Sequence, residues 1–391
     1  MPAADLCDRS PAVVVLGAGP CGSAAAAELA RRAWPVVLVG RSCDRRPNIG
    51  ECLPPGIRPQ LEKAGVWEDF LHAGHTASLG IRSAWGSQTL ADRDFLLSPY
   101  GAGWHVDRTR FDAMMSASAL RSGAAWLDCL ALRDVEQISE GWRIKLSVDS
   151  GEQSIETPFL IDATGRAGVF ARRVGARRIV LDRLSGAAGY FRDVHPSIEH
   201  MEPVLLVEAV ENGWWYTAPL PEGKLIAVFM TDADFIRREK LTQPERWMAQ
   251  LASTVKQSRR IRGLRFDGII RIVPADSSFL DRVAGDGWLA AGDAAASFDP
   301  LSSQGITAAI ASGLDAAECA SAWLSGDERA LIAYADRMRR GYAEYLTHRS
   351  VYYRMERRWL ESCFWKTRHA RPAALLEENS KEANRKEVAC A

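Results

Sequence analysis

Gly17, Gly19 and Gly22 stand in a G-x-G-x-x-G spacing within VVVLGAGPCGSAAAAELARR, residues 13 to 32, between an apolar run and an alanine-rich helical pattern. The first glycine permits a tight turn, the second lets the backbone approach a pyrophosphate, and the third lets helix and strand pack closely. The helix start at Pro20 and Cys21 then points unpaired N–H groups at the phosphate charge. A dinucleotide is the expected ligand, and these residues alone leave open whether it carries nicotinamide or flavin. An acid normally ends the second strand about 20 residues on and accepts from the adenosine ribose. Here VVLVGRS puts Gly40 and then Arg41 at that place. Arg41 is expected to stack on adenine or meet a phosphate, which taken alone leans toward NADP.

The far end of the chain decides otherwise. GWLAAGDAAASFDPLSSQGI reads as a strand ending in Gly292 and Asp293, then small residues, Pro300, and a helix beginning between Ser302 and Gly305. An aspartate after a buried strand suits a ribityl hydroxyl. A helix start formed by Ser303, Gln304, Gly305 and Ile306 aims N–H groups at a charge such as that on the N1–C2=O edge of a reduced isoalloxazine. Two further motifs lie between these ends: DRTRFDAMM, with Arg108, and FLIDATGRAG, with Gly165. The four motifs in this order resemble the FAD-dependent monooxygenases and halogenases related to the p-hydroxybenzoate hydroxylase fold, over most of residues 12 to 315. The resemblance implies bound FAD, with Arg108 reaching toward it.

Positioning these residues requires an α/β fold: a Rossmann-like FAD-binding domain interrupted by an antiparallel-sheet substrate domain, with a C-terminal helical segment. The expected boundaries are 10–80, 101–175 and 276–320 for the three parts of the FAD-binding domain. Residues 81–100 and 176–275 supply the substrate-domain strands, 321–372 the C-terminal helices and 373–391 a flexible tail. A hairpin is predicted near 126–157. The stretch RMRRGYAEYLTHRSVYYRMERRWLESCFWKTRHARP is basic and aromatic, and its spacing predicts a helix that packs rings on the body and shows arginines to solvent.

NIGECLPPG and GWWYTAPLP resemble the halogenase branch, whose G-W-x-W-x-I-P motif is altered here at Tyr216 and Ala218. Two chemical parts of tryptophan halogenases are missing. No lysine occurs between Lys63 and Lys145, where a strand lysine would handle hypohalous acid, and PLSSQG puts Ser302 at the position of the branch's catalytic glutamate. The expectation is therefore oxygen chemistry: hydroxylation of an aromatic ring through a flavin C4a-hydroperoxide. NIGECLPP, GWWYTAPLP, DPLSSQGI and YYRMERRWLESCFW are similar to the flavoproteins that mature tryptophan-derived quinone cofactors. That resemblance implies a partner protein bearing a target tryptophan as substrate. NAD(P)H or a separate flavin reductase would supply electrons, since no second nucleotide fingerprint appears. Competing readings are a halogenase, a geranylgeranyl-reductase-like alkene reductase, and a non-catalytic flavoprotein assembly factor.

Glu51 and His105 are the catalytic candidates. Glu51 could accept a proton when an oxidised ring rearomatises, against a loop-fixing role, and His105 could act as an acid or base, against simple packing. Trp214 and Tyr216 are candidates for the substrate pocket; strand alternation sends Trp215 the other way. Cys52 raises covalent flavin attachment, against a small loop thiol.

Lys and Arg balance Asp and Glu at 49 each in 391 residues, which gives no general attraction to nucleic acid or an anionic membrane. No run is long enough to span a bilayer, and a cytoplasmic protein is expected. The eight cysteines show neither C-x-x-C nor metal spacing, so reduced thiols and no metal site are expected.

Overall fold

Val13–Leu16, buried throughout, forms an inner strand of a six-stranded sheet. Both faces of a parallel strand must be covered, which explains why the run is continuously apolar rather than alternating. It pairs in parallel with Val36–Gly40 on one side and Phe159–Asp162 on the other. Trp288–Ala290 extends the sheet beyond the latter and Ala125–Asp128 beyond the former. The computed structural model describes residues 11–41, 49–193 and 201–369.

Small residues let two helices lie close on one face of this sheet. The helices Pro20–Arg31 and Gly305–Leu324 bury Ala25, Ala26, Ala316, Ala317 and Ala320 together with Val13, Val15 and Ile161. The other face carries Trp142, Ile144, Leu146 and Phe170. Those residues come largely from a three-stranded antiparallel meander, Ala131–Ile138, Gly141–Val148 and Gly151–Thr157. This corrects the hairpin predicted near 126–157. Ala125–Asp128 is the parallel edge strand of the nucleotide sheet, and two reversals at the positive-φ residues Gly141 and Gly151 follow it.

The second unit is a seven-stranded sheet, in the order Leu264–Pro274, Leu184–Asp193, Lys224–Asp232, Gly213–Leu220, Val204–Val210, Gly80–Ala84 and Ala91–Asp94. All its pairs are antiparallel except Val204–Val210 with Gly80–Ala84. Alternation divides Gly213–Leu220 between two cores: Trp214, Tyr216 and Ala218 face one, Trp215 the other.

The C-terminal part is a helix, Ala330–Met355, a break, and a second helix, Cys363–His369. Tyr353, Phe364 and Trp365 pack on the core that holds Trp214 and Tyr216. The expectation that the arginines here face solvent is corrected at two positions, since Arg349 and Arg368 are 8% and 3% exposed. Both are buried because carboxylates wait for them: Arg349 bridges Asp299 and Asp182, and Arg368 pairs with Asp232. The tail predicted over 373–391 lies outside the described residues. No helix among the described residues is long and apolar enough to cross a membrane.

Candidate functional site

The glycine turn closes tightly on one side and opens on the other. A Cβ at Gly17, where φ is +104°, would sit 2.3 Å from the Ala163 carbonyl oxygen, and one at Gly22 would sit 1.8 Å from that of Gly17. A Cβ at Gly19, Gly165 or Gly305 would meet nothing within 4 Å. Three turns from distant parts of the chain therefore front open space with bare backbone. Pro20 begins the helix that follows Gly19. Cys21 is buried, and helix Gly305–Leu324 crosses at Gly313, where a Cβ would lie 2.2 Å from the Cys21 carbonyl oxygen. The Gly292 N–H donates to Ser312 Oγ at 2.8 Å, which ties the second motif to the same crossing.

Asp293 follows, its side chain 38% exposed and 3.7 Å from Arg166. Burial of the surroundings raises its carboxyl, and Arg166, Arg108 and Arg178 oppose that rise. Arg178 holds the carbonyl oxygens of Asp293 and Ala294 at 3.1 and 2.7 Å. Arg108 donates to the Ile49 carbonyl at 2.9 Å and pairs with Asp112 at 3.1 Å. The motif therefore fixes the loop that carries Glu51. Pro300–Ser302 forms one 3-10 turn, capped by Asp299 accepting from the Leu301 N–H at 3.0 Å, and Ser303 adopts a left-handed φ of 52°. Gln304 and Gly305 are exposed at the start of the long helix. Ile306 turns its side chain into the core, so only its backbone faces the opening. Arg41 is exposed and donates to the Leu130 carbonyl.

Asp162, which sequence reasoning missed, is fully buried at the end of its strand. It accepts from Thr164 N–H and Oγ1 and from the N–H groups of Phe170 and Ala171, and so shapes the Ala163–Gly165 turn. An acid ending the apolar run FLID was the available signal. The bare-backbone turns, the unobstructed helix starts and Asp293 fit FAD: Gly19 and its helix start would hold a pyrophosphate, Asp293 would accept from ribityl hydroxyls, and the backbone of Ser303 to Ile306 would face a charged flavin edge.

The Glu51 loop meets Tyr216 and Tyr190 of the large sheet. Glu51 is 3% exposed; Oε2 accepts from the Gly50 N–H at 3.0 Å, while Oε1 has no partner among the described residues. Burial pushes its carboxyl up to about 7; the Gly50 N–H and the Arg108 charge restrain the rise, and the Tyr216 phenol adds a smaller pull in the same direction. Tyr216 is itself pushed well up, first by burial and then by the Glu51 charge. Tyr190, two strands away and also missed, is raised by burial and by Glu51. Arg271 lies 5.9 Å from its ring.

His105 and Trp214 are both buried. His105 is fully buried in a small sheet, paired with Cys52 and Thr76. Its Nδ1 lies 3.4 Å from Cys52 Sγ, and burial, with Arg260 nearby, lowers it to about 3. Cys52 turns toward this histidine. The Trp214 indole sits edge-on to Trp85 and donates to Tyr353 Oη at 3.2 Å.

The fold and site define an FAD-dependent oxidoreductase. The chain belongs to the FAD binding domain family, whose model matches residues 10–350. It is 29% identical over 362 residues, 91% of this chain and 96% of the other, to the putative FAD-dependent oxidoreductase LodB of Marinomonas mediterranea. It is 28% identical to the tryptophan 2-halogenase of Chondromyces crocatus over 81% of this chain, and spans 62% of that enzyme. Among solved structures, the myxobacterial chondrochloren halogenase CndH superposes with a TM-score of 0.83 at 24% identity, covering 97% of this chain and 90% of that one. The peptidyl tryptophan dihydroxylase QhpG, essential for tryptophylquinone cofactor biogenesis, gives 0.76 at 22%, covering 93% and 80%. These two likenesses show the fold.

Proposed function

We propose that the protein is an FAD-dependent monooxygenase that hydroxylates an aromatic ring, and that its substrate is a tryptophan side chain of a partner protein during quinone-cofactor maturation. The observation that carries this reading is Glu51. It is a buried carboxyl with one unpartnered oxygen, titrating near neutrality, between the flavin cradle and the aromatic sheet. Bound reduced FAD supplies the chemistry of O₂ activation: one oxygen atom enters a ring C–H bond, the other leaves as water, and two electrons come from NAD(P)H or a reductase partner. The ring carbon that gains oxygen must lose its proton, and Glu51 Oε1 accepts it. Tyr216 holds the carboxylate in place, and burial of Glu51 keeps its proton affinity near the working pH.

Halogenation is disfavoured by Ser302. Its Oγ bonds back to the Asp299 carbonyl at 3.2 Å, so the residue builds the turn and offers no carboxylate. The likeness to QhpG, a peptidyl tryptophan dihydroxylase, supports a polypeptide substrate. The test is reaction of the reduced holoenzyme with ¹⁸O₂ and a tryptophan-bearing partner subunit or peptide, with and without bromide. One ¹⁸O per hydroxylation is expected. A bromide-dependent product without ¹⁸O would overturn the reading, as would no product with any indole substrate.

A further inference from the structure

The second strand of the nucleotide sheet ends at Gly40, where an acid ordinarily accepts from the adenosine ribose. The structure shows why no side chain stands there. A Cβ at Gly40 would lie 2.4 Å from Trp126 Cη2 and 2.6 Å from the Ala18 Cβ. The indole of the neighbouring strand occupies the volume from which that acid would project.

The same strand carries a substitute. Ala125–Asp128 runs parallel to Val36–Gly40 with Gly40 in register with Asp128, and the Cys129 N–H donates to the Gly40 carbonyl at 2.8 Å. Asp128 therefore stands at the same height of the sheet, one strand over, about 4.8 Å away. Alternation puts it on the face of Trp126, whose ring packs with Ala18 and the Pro20–Arg31 helix, the side on which the glycine turn presents the pyrophosphate site. Arg41 cannot do this work. A guanidinium has no acceptor, and Arg41 is turned onto the Leu130 carbonyl.

We propose that Asp128 is the ribose-binding acid of this protein, accepting hydrogen bonds from the adenosine ribose hydroxyls of FAD. A carboxylate offers about four lone-pair positions, enough for a vicinal diol alongside its contacts within the protein. Its charge also repels a 2′-phosphate, which cancels the lean toward NADP that Arg41 gives. The assignment is independent of the substrate oxidised.

The test is FAD affinity of the flavin-stripped chain, read by quenching of flavin fluorescence. Asp128→Ala should weaken FAD by about tenfold or more, the size expected for hydrogen bonds to a charged acceptor. FMN, which lacks the adenosine half, should bind both proteins equally. An FAD analogue lacking the adenosine ribose hydroxyls should bind the unaltered chain as weakly as Asp128→Ala binds FAD, and the variant should not distinguish the two ligands. Asp128→Asn keeps the shape and carries the same comparison if the alanine variant does not fold. FAD affinity within twofold of the unaltered chain, equal loss of FMN, or a variant that still discriminates the analogue would each overturn the assignment.

Discussion

Trp215 and Tyr216 are consecutive residues on one strand, and they meet opposite conditions. Trp215 stacks on Phe229 at 4.7 Å with a 5° tilt and meets Trp247 edge-on at 5.1 Å. That core is complete as it stands: Trp247 Nε1 donates to the Ala187 carbonyl, and the neighbours are apolar. Tyr216 looks across at a buried carboxyl with an unpartnered oxygen. Native interiors leave few such atoms unpaired, so the two sides of the strand differ chemically: one is packed throughout, and the other holds a carboxyl oxygen with no partner among the described residues. The Trp215 side is the closed face and the Tyr216 side the open one.

Removing the indole on the closed face should have the largest effect. Trp215→Ala leaves a cavity among packed rings and is expected to cost about 3–5 kcal/mol in urea unfolding. If it costs under about 1 kcal/mol, the two faces do not differ as described. On the open face the sign reverses. Folding raises the Glu51 carboxyl from 4.5 to about 7, so the protonated form is favoured in the folded state. That contribution is complete below pH 4.5 and is lost as the pH rises through 7. A shift of this size corresponds to about 3 kcal/mol. Glu51→Gln should therefore stabilise the flavin-free chain above pH 7 while abolishing hydroxylation, and should change little at pH 4.5. Equal melting shifts at pH 5 and pH 8 would refute it.

His105 titrates in the other direction. Its folded value near 3 means that the unfolded chain binds the proton first, so stability falls as the pH drops below 6.5. Between pH 6.5 and 5 the loss is about 2 kcal/mol, and His105→Leu should remove that slope. The smallest change expected is from Tyr216→Phe. It should cost about 1 kcal/mol or less and move the Glu51 titration slightly upward, seen as a small alkaline displacement of the pH–rate curve.

The fold class and the coenzyme were legible because they rest on local backbone demands. A glycine that must have no Cβ, such as Gly22, leaves its mark in the sequence whatever lies far away. The nearness of Tyr190 to Glu51 and the place proposed for Asp128 were not legible, because both depend on which strand lies beside which and in what register. Alternation in GWWYTAPL separates Trp215 from its neighbours but cannot say that Trp85 and Tyr353 close over Trp214 while Tyr216 meets Glu51. The same holds for Arg349 and Arg368. A basic helical stretch looks solvated until the carboxylates of Asp299, Asp182 and Asp232 are brought to it from other segments.

The crossing of Cys21 with Gly313 also has a consequence for biosynthesis. The first helix is made early, yet the helix that seals it comes almost three hundred residues later. At translation speeds of about 5–20 residues per second, the ribosome delivers that second helix roughly 15 to 60 s after the first. During this interval Pro20–Arg31 lacks the helix that packs against it, and its buried alanines wait on the arrival of Gly305–Leu324.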